Sequence, residues 1–465
     1  MAGPWTRVLS TAAEAAGRVG AEVMTPVENL LPWARAGREK DIRRVVVLGT
    51  GWGAARVARD LDLGRHSNMA LSIVSPRNHM VMTPLLASTT TGTLDCRSVC
   101  VSLREIQPGL QLPDNHYYPA TARAVDTEAK AILCEGEDGR AFEVDYDTLV
   151  IATGAQGSTF GIPGVTRYAH FLRDIKDASA IRKHLTDNIS QAALPTQNTE
   201  EKKRLLNCVI VGGGPTGVEF ASELSDFIRK DLFSIAPEAA AMFNVLLVEA
   251  SGNVLGTFDH SLRSYAARNL MTGGVQIVKG AVNEVRKDKI VLNDGSELDY
   301  GILVWATGVG PTPFISSLPF QLHNGRIDQS ASLNAHAPDG TVLEDVFAIG
   351  DCAANPDEPL PALAQVAEQQ GAYVAAQINS QMSGKPLEKP FLYRHLGSMA
   401  SLTTGHAVME LGDLKSTEHL SVKGLLSWFA WRSAYLTKLG SWRARLNAMA
   451  NWTTSLLLGR DISRW

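Results

Sequence analysis

Apolar residues gather in two places with the same signature. From Arg43 the chain reads VVVLG, the short β-branched run of a strand covered on both faces. It passes into a glycine-rich turn, GTGWGA at Gly49–Ala54, and then into ARVARDLD, whose apolar positions recur at helical spacing. From Asn207 the same order returns as CVIVGGGPTGVEFASELSDF. Each copy is followed further on by a strand ending in Ala-Thr-Gly: LVIATG, with Ala152, Thr153 and Gly154, and ILVWATG, with Ala306, Thr307 and Gly308. Strand, glycine turn and helix, with the strand-rich stretch AFEVDYDTLVIATG downstream, predict a doubly wound α/β sheet carrying a β-meander. Two copies predict two such domains.

The segment EDVFAIGDCA (Glu344–Ala353) reads as the closing part of the first domain, so the second copy is expected to be inserted within it. The boundaries expected are an N-terminal arm at 1–40, a first dinucleotide-binding domain at 41–204 and 306–381, a second at 205–305, and a C-terminal region at 382–465. Polar Pro195–Lys203 is read as a surface connection. The arm carries Arg7, Arg18, Arg35 and Arg38 together with Glu14, Glu22 and Glu28, which leaves a cleaved presequence and a retained amphipathic arm both open.

Composition narrows the function classes. Among 465 residues, 45% are hydrophobic and 20% charged, with a net charge of −4, which fits a globular protein and not a nucleic-acid binder. The five cysteines form no C-x-x-C pair, which speaks against a disulfide scaffold, a zinc site or a dithiol redox centre, and no metal is expected. No apolar run is long enough to span a bilayer.

The glycines carry the chemistry. Gly49 permits a tight turn, Gly51 lets a pyrophosphate approach the backbone, and Ala54 is small enough for helix–strand packing; the helix N-terminus then offers N–H groups to the anion. Gly212, Gly214 and Gly217 complete the same fingerprint in the second copy. There the following strand, NVLLVEA, ends at Glu249, whose carboxylate suits ribose hydroxyls and repels a 2′-phosphate, so the site reads as NADH-selective. In the first copy the equivalent strand ends at Ser75, without a carboxylate, and Asp351 downstream is placed to bind a ribityl hydroxyl. That combination predicts FAD in the first domain and NADH in the second. Gln365 and Gln369, four apart on one helical face, are either hydrogen-bond donors to a quinone acceptor or ordinary surface glutamines.

The tail departs from the average. Between Glu418 and Asp461 no acidic residue occurs, while Lys423, Arg432, Lys438, Arg443, Arg445 and Arg460 are all positive. Five of the nine tryptophans, Trp428, Trp431, Trp442, Trp452 and Trp465, lie in this tail. With Tyr435, Leu439, Leu446, Met449 and Leu456 the first four predict one apolar stripe along helices broken near Gly440. Either the stripe docks on the body or it lies in a membrane interface, and the tryptophans and one-signed charge favour the second.

The segments VVVLGTGWGA, SIVSPRNHMVMTPLLAS, LVIATGAQ, FGIPGV, VIVGGGPTGVE, FAIGDCA and AQVAEQQG together resemble type II, non-proton-pumping NADH:quinone oxidoreductases. The resemblance implies a glutathione-reductase-like fold of two Rossmann-like domains plus a C-terminal amphipathic, membrane-associated helical region. It implies FAD contacts from Gly49, Gly51, Trp52, Gly53, Ala54, Ser75, Pro76, Arg77, Thr83, Thr153, Gly154, Gly350 and Asp351. NADH contacts are implied for Gly212, Gly214, Pro215, Thr216, Gly217, Glu249, Ala306, Thr307 and Gly308, and quinone contacts for Gln365 and Gln369. Glu219 is implied as part of a proton route.

Further implications are a ubiquinone-like acceptor, a membrane surface met by residues 423–465, a homodimer, and association with a respiratory complex. The implied location is peripheral on the mitochondrial inner membrane, with a plastid or bacterial inner membrane as the alternative. Some members carry an EF-hand in the second half; Phe227–Phe243 lacks that loop pattern, so calcium control by that means is not expected. A soluble reductase of a carrier protein and a flavin-bearing structural or redox-gated subunit remain the alternative functions.

Overall fold

The run Val45–Leu48 has no exposed surface, as the central strand of a sheet covered on both faces requires. In this computed structural model, residues 42–66, 68–385, 387, 389–412 and 420–463 are described, so the N-terminal arm and Trp465 lie outside the described residues. Two units divide the chain. The first comprises the described residues up to Asn78 with Ile106–Ala155 and Pro311–Tyr393; the second comprises His79–Glu105, Gln156–Gly310 and Arg394 onward.

Among the described residues of the first unit, a six-stranded sheet runs Asn334–His336, Val342–Ala348, Thr148–Ile151, Arg43–Leu48, Met69–Val74, His116–Tyr118. Its pairings are parallel apart from the antiparallel edge of Asn334–His336 on Val342–Ala348. Val46 and Leu48 point to the face packed by Ile132, Cys134 and Val144 of an antiparallel meander, Ala120–Asp126, Ala131–Gly136 and Ala141–Asp145. Elsewhere in this unit the helices Trp52–Asp60 and Ala364–Met382 pack together; a Cβ on Gly371 would stand 2.5 Å from the carbonyl oxygen of Gly53. The period of two along the strand thus sorts its residues between two layers.

The second unit repeats this plan with a five-stranded parallel sheet, His170–Phe171, Ile302–Trp305, Asn207–Val211, Asn244–Glu249, Val275–Lys279. Cys208 and Ile210 pack with Val218, Ala221 and Leu224 of the helix Pro215–Phe227, while Val209 and Val211 pack with Val282, Val285 and Ile290 of a second meander. A three-stranded sheet, Ser398–Ser401, Ala407–Leu411 and Leu420–Lys423, and the helices Leu425–Lys438 and Trp442–Leu458 complete the unit.

The units differ from the expected boundaries at four places, the first being that residues 306–310 stay with the second unit. His170–Phe171 pairs with Val304 and Trp305, and Ile175–Ala192 packs on that strand, so residues 156–204 join the second sheet. His79–Glu105 also joins the second unit, and the C-terminal region of that unit begins at Arg394. The polar connection expected at Pro195–Lys203 is in part a helix: Thr199–Leu205 starts on Asn198, whose side chain accepts from the Glu201 N–H, with Glu200 and Glu201 in its first turn and Lys202, Lys203 and Arg204 in its last.

Candidate functional site

Gly49 sits at φ +107°, and a Cβ there would meet the Ala152 carbonyl oxygen at 2.5 Å, so only glycine fits this turn. Gly51 and Gly154 face open space, and Gly51 caps the helix Trp52–Asp60 with no side-chain hydrogen bond and no acid in its first turn. The end of that helix therefore keeps N–H groups and partial positive charge for an anion. Gly53 and Ala54 instead pack inward, Gly53 against Ile349 and Ala367. At the end of the next strand, the buried Ser75 hydroxyl lies 3.4 Å from that of Thr50 and accepts the Arg77 N–H at 3.2 Å. Thr153 has a buried hydroxyl with no hydrogen-bond partner of good geometry. Asp351 stands in a short turn, Gly350–Cys352, that lines a cleft with Gln329, Ser330 and Gln370. An uncapped helix end and an open glycine cradle fit a dinucleotide.

The second fingerprint has the same construction. Gly212 lies at φ +113° with its would-be Cβ 2.6 Å from the Ala306 carbonyl oxygen, and a Cβ on Gly217 would collide with the carbonyl oxygen of Gly212. Gly214 faces open space and caps Pro215–Phe227 without a side chain; Pro215 and Thr216 form the first helical positions, both exposed. Glu249 accepts the Gly213 N–H at 2.7 Å on Oε2, and the Ser251 N–H and hydroxyl at 2.9 and 2.8 Å on Oε1. Burial acts to raise its pKa, but these three hydrogen bonds outweigh it and hold the carboxyl below its ordinary value. Thr307 donates its hydroxyl to the Ser158 carbonyl at 3.2 Å, beside Trp305 Nε1 at 2.9 Å, bracing the turn that carries Ala306 and Gly308.

Glu219, 8% exposed, lies on the inner side of the same helix and accepts the Ser401 N–H at 3.0 Å. Burial first, opposed by that hydrogen bond, then the nearby Glu223 charge, opposed in turn by the Trp431 indole, push its pKa up to about 8. Tyr435 is also raised, by burial and by Glu219. Its carboxyl therefore favours the protonated form more than an exposed glutamate does.

The tail is two helices broken at Leu439–Ser441, and the stripe expected along it divides. Trp431, Leu439 and Trp452 are buried on the body with Ala444 and Ala448. Trp442, Leu446, Met449 and Leu456 stay exposed, joined by Leu425, Leu426, Phe429, Leu457 and Leu458. The break restarts the helical phase, so steps of three and four across it do not continue one face. Arg432 lies between Trp428 and Trp452, its guanidinium carbon 3.9 and 4.5 Å from their ring centres. No helix among the described residues is long and apolar enough to cross a membrane, and no metal-binding group of His, Cys, Asp and Glu occurs among them.

Within the first unit the structure brings together the Gly49–Ala54 turn, Ser75, Pro76, Arg77, Thr153, Gly154 and the Gly350–Asp351 turn; the half-buried Gln365 and Gln369 begin the helix Ala364–Met382 in that unit. Thr83 belongs to the second unit, on the short turn Thr83–Leu85. Gln370 was not foreseen: its buried amide oxygen accepts the Gly350 N–H at 2.7 Å and fixes the Asp351 turn. Gln370 directly follows Gln369, but only the helix phase reveals that it alone of the three faces inward. Nor were Glu223, Asp231 and Arg460, which meet across the second unit.

Comparison with known proteins agrees with this geometry. Residues 43–371 match the pyridine nucleotide-disulphide oxidoreductase family, and residues 395–461 match the NDH2 C-terminal domain. A mitochondrial protein of Solanum tuberosum named internal alternative NAD(P)H-ubiquinone oxidoreductase is 44% identical over 445 residues, 90% of this chain and 88% of its own length. A protein of the same name from Arabidopsis thaliana is 44% identical over 92% of this chain and 86% of its own. Among solved structures, NDH2 of Plasmodium falciparum, determined with NADH, superposes with a TM-score of 0.82 at 24% identity, covering 90% of this chain and 99% of that one.

Proposed function

Because this chain belongs to the type II NADH:quinone oxidoreductases, built on the pyridine nucleotide-disulphide oxidoreductase fold with an NDH2 C-terminal domain, we propose that its two fingerprints divide the binding of FAD and NADH. The enzyme oxidises NADH and reduces a quinone without pumping protons, at the mitochondrial inner membrane. FAD, when bound, supplies the two-electron relay between the substrates. The first fingerprint, with Trp52, Ser75, Pro76, Arg77, Thr153, Gly154, Gly350 and Asp351, is assigned to FAD. The uncapped end of Trp52–Asp60 takes its pyrophosphate, and Gln370 orients the Asp351 turn toward the ribityl chain. The second fingerprint, with Pro215, Thr216, Ala306, Thr307 and Gly308, is assigned to NADH.

Glu249 is assigned to the adenosine ribose. Three hydrogen bonds fix its carboxylate and leave an acceptor position free for a hydroxyl. Its charge opposes a 2′-phosphate, so Glu249→Gln should relax the preference for NADH over NADPH by about tenfold, roughly the 1–2 kcal/mol of one removed charge contact. Steady-state kcat/KM for both nucleotides checks it, and an unchanged ratio removes Glu249 from this role.

Gln365 and Gln369 are assigned to the quinone carbonyls and Glu219 to delivery of one proton, the quinone's other proton and both electrons coming from the hydride of NADH. Carboxylate burial is the observation that carries the second assignment: a group charged at neutral pH cannot hold a proton ready, and Glu219 is kept neutral there. The exposed apolar row of the tail, with Arg443 and Lys438 beside it and no acid between Glu418 and Asp461, is assigned to an anionic lipid surface, from which a lipid-dissolved quinone is drawn. Purified holoenzyme should show a flavin spectrum bleached by NADH and should reduce a long-chain ubiquinone in anionic liposomes with which it floats. Bleaching without quinone reduction would favour a carrier-protein reductase; no bleaching would favour a flavin-bearing structural subunit.

A further inference from the structure

Glu223 follows Glu219 by one helical turn on the same face. Where Glu219 takes a backbone N–H, Glu223 takes the hydroxyls of Ser88 and Thr93, each at 2.7 Å, and the Arg460 guanidinium at 3.3 Å. Arg460 lies near the end of the chain, yet its side chain is 7% exposed. Its Nη1 reaches Asp231 at 2.7 Å, its Nε reaches Thr93 at 2.7 Å, and its backbone N–H gives Asp231 a further hydrogen bond at 2.8 Å. The Glu223 carboxylate is thus fixed from three directions, and neither glycine fingerprint uses it.

The groups around Glu219 sort by charge. Its own helix supplies Glu223, the strand Ser398–Ser401 supplies the neutral N–H of Ser401, and the tail helix supplies Trp431 and Tyr435, both neutral. The cations Arg460 and Arg432 act on Glu223 instead.

The geometry points to Glu223 as a positioning residue for the quinone half-reaction: clamped by Ser88, Thr93 and Arg460, it keeps a negative charge one turn from Glu219 and so holds the proton on Glu219 until the reduced quinone takes it. This rests on the reading of Glu219 as the proton donor. NADH gives up a hydride, which carries two electrons and one of the two protons the quinone needs; the Glu219 proton supplies the other at a quinone oxygen, and a solvent H+ reprotonates the carboxylate, so that NADH, quinone and one H+ become NAD+ and quinol. The charge contribution of Glu223 to Glu219 agrees with this arrangement.

The test is the pH profile of quinone reduction by full-length holoenzyme, using a short-chain ubiquinone analogue. Activity that needs protonated Glu219 falls as pH rises through its pKa. Glu223→Gln removes the neighbouring charge, so the alkaline limb should move down by about 1 pH unit. Glu223→Asp, which keeps the charge on a shorter stem, should move it the same way by less than half as much, and serves alone if the amide variant fails to fold. A rate lowered equally at every pH, with the limb in place, would make Glu223 merely structural and overturn the inference. Glu219→Gln is the reference: loss of the limb in that variant, with no shift from Glu223, sinks this inference alone. A limb that survives Glu219→Gln sinks the reading of Glu219 and this inference with it.

Discussion

Glu219→Gln should lower quinone-dependent NADH oxidation by about 10²–10⁴-fold, the usual contribution of a positioned general acid. An amide of the same shape still accepts the Ser401 N–H through its oxygen, so the strand Ser398–Ser401 keeps its partner. What it loses is a proton to give. Stopped-flow measurement separates the halves of the reaction, and flavin reoxidation by quinone should slow far more than flavin bleaching by NADH. Stability gives an opposite sign, which distinguishes catalysis from damage. The folded pKa of Glu219 is raised to about 8, from an ordinary value of 4.5. The native state therefore holds more protons than the unfolded state between these values, and its stability falls as pH rises from about 4.5 to about 8. The amide cannot ionise, so the variant should lack that decline and be the more stable protein at pH 9. A variant that is both inactive and less stable at pH 9 would show that the substitution disrupts packing and would leave the acid role unsupported.

The contrast between Glu249 and Glu223 shows what a sequence can and cannot disclose. Glu249 was legible because its position is set by local rules: a β-branched strand follows a glycine fingerprint, and the end of that strand necessarily lies beside the turn. The two glycine turns, the Asp351 turn and the helical tail were legible for the same reason. Glu223 was not, because its partner Arg460 lies 237 residues away and reaches it only through the tertiary path of the tail. His170–Phe171 was missed because a two-residue strand carries no periodicity, and only its pairing with Val304 and Trp305 defines it. The tail misled differently. Its apolar residues were visible, but which of them cover the body depends on the phase change at Gly440, so Trp431, which covers Glu219, read like Trp442, which is 73% exposed. The tail therefore supplies Trp431 to the surroundings of Glu219 as well as an apolar surface, and deleting it would remove both.

Arg460→Ala should undock the tail at a cost of about 3–5 kcal/mol, the usual effect of removing one member of a buried charge cluster. Glu223 and Asp231 are respectively 17% and 6% exposed in their side chains, so the truncation leaves two carboxylates with little access to water. Asp231 retains the backbone N–H of residue 460, and Glu223 retains Ser88 and Thr93, which limits the loss without cancelling it. Lysine should recover little. The guanidinium addresses Thr93, Asp231 and Glu223 through Nε, Nη1 and Nη2, a planar spread that a single ammonium does not reproduce. Neutralising the acids along with the cation, as in Arg460→Met with Asp231→Asn and Glu223→Gln, should restore much of the docking, because the larger part of the penalty is desolvated charge left unpaired. Hydrogen exchange in Trp442–Leu458 measures the effect directly: protection should fall in Arg460→Ala and return in the triple variant. The triple variant should nevertheless keep the displaced alkaline limb of Glu223→Gln, since it regains a docked tail but not the charge beside Glu219. Docking and proton holding would then be separable properties of one cluster.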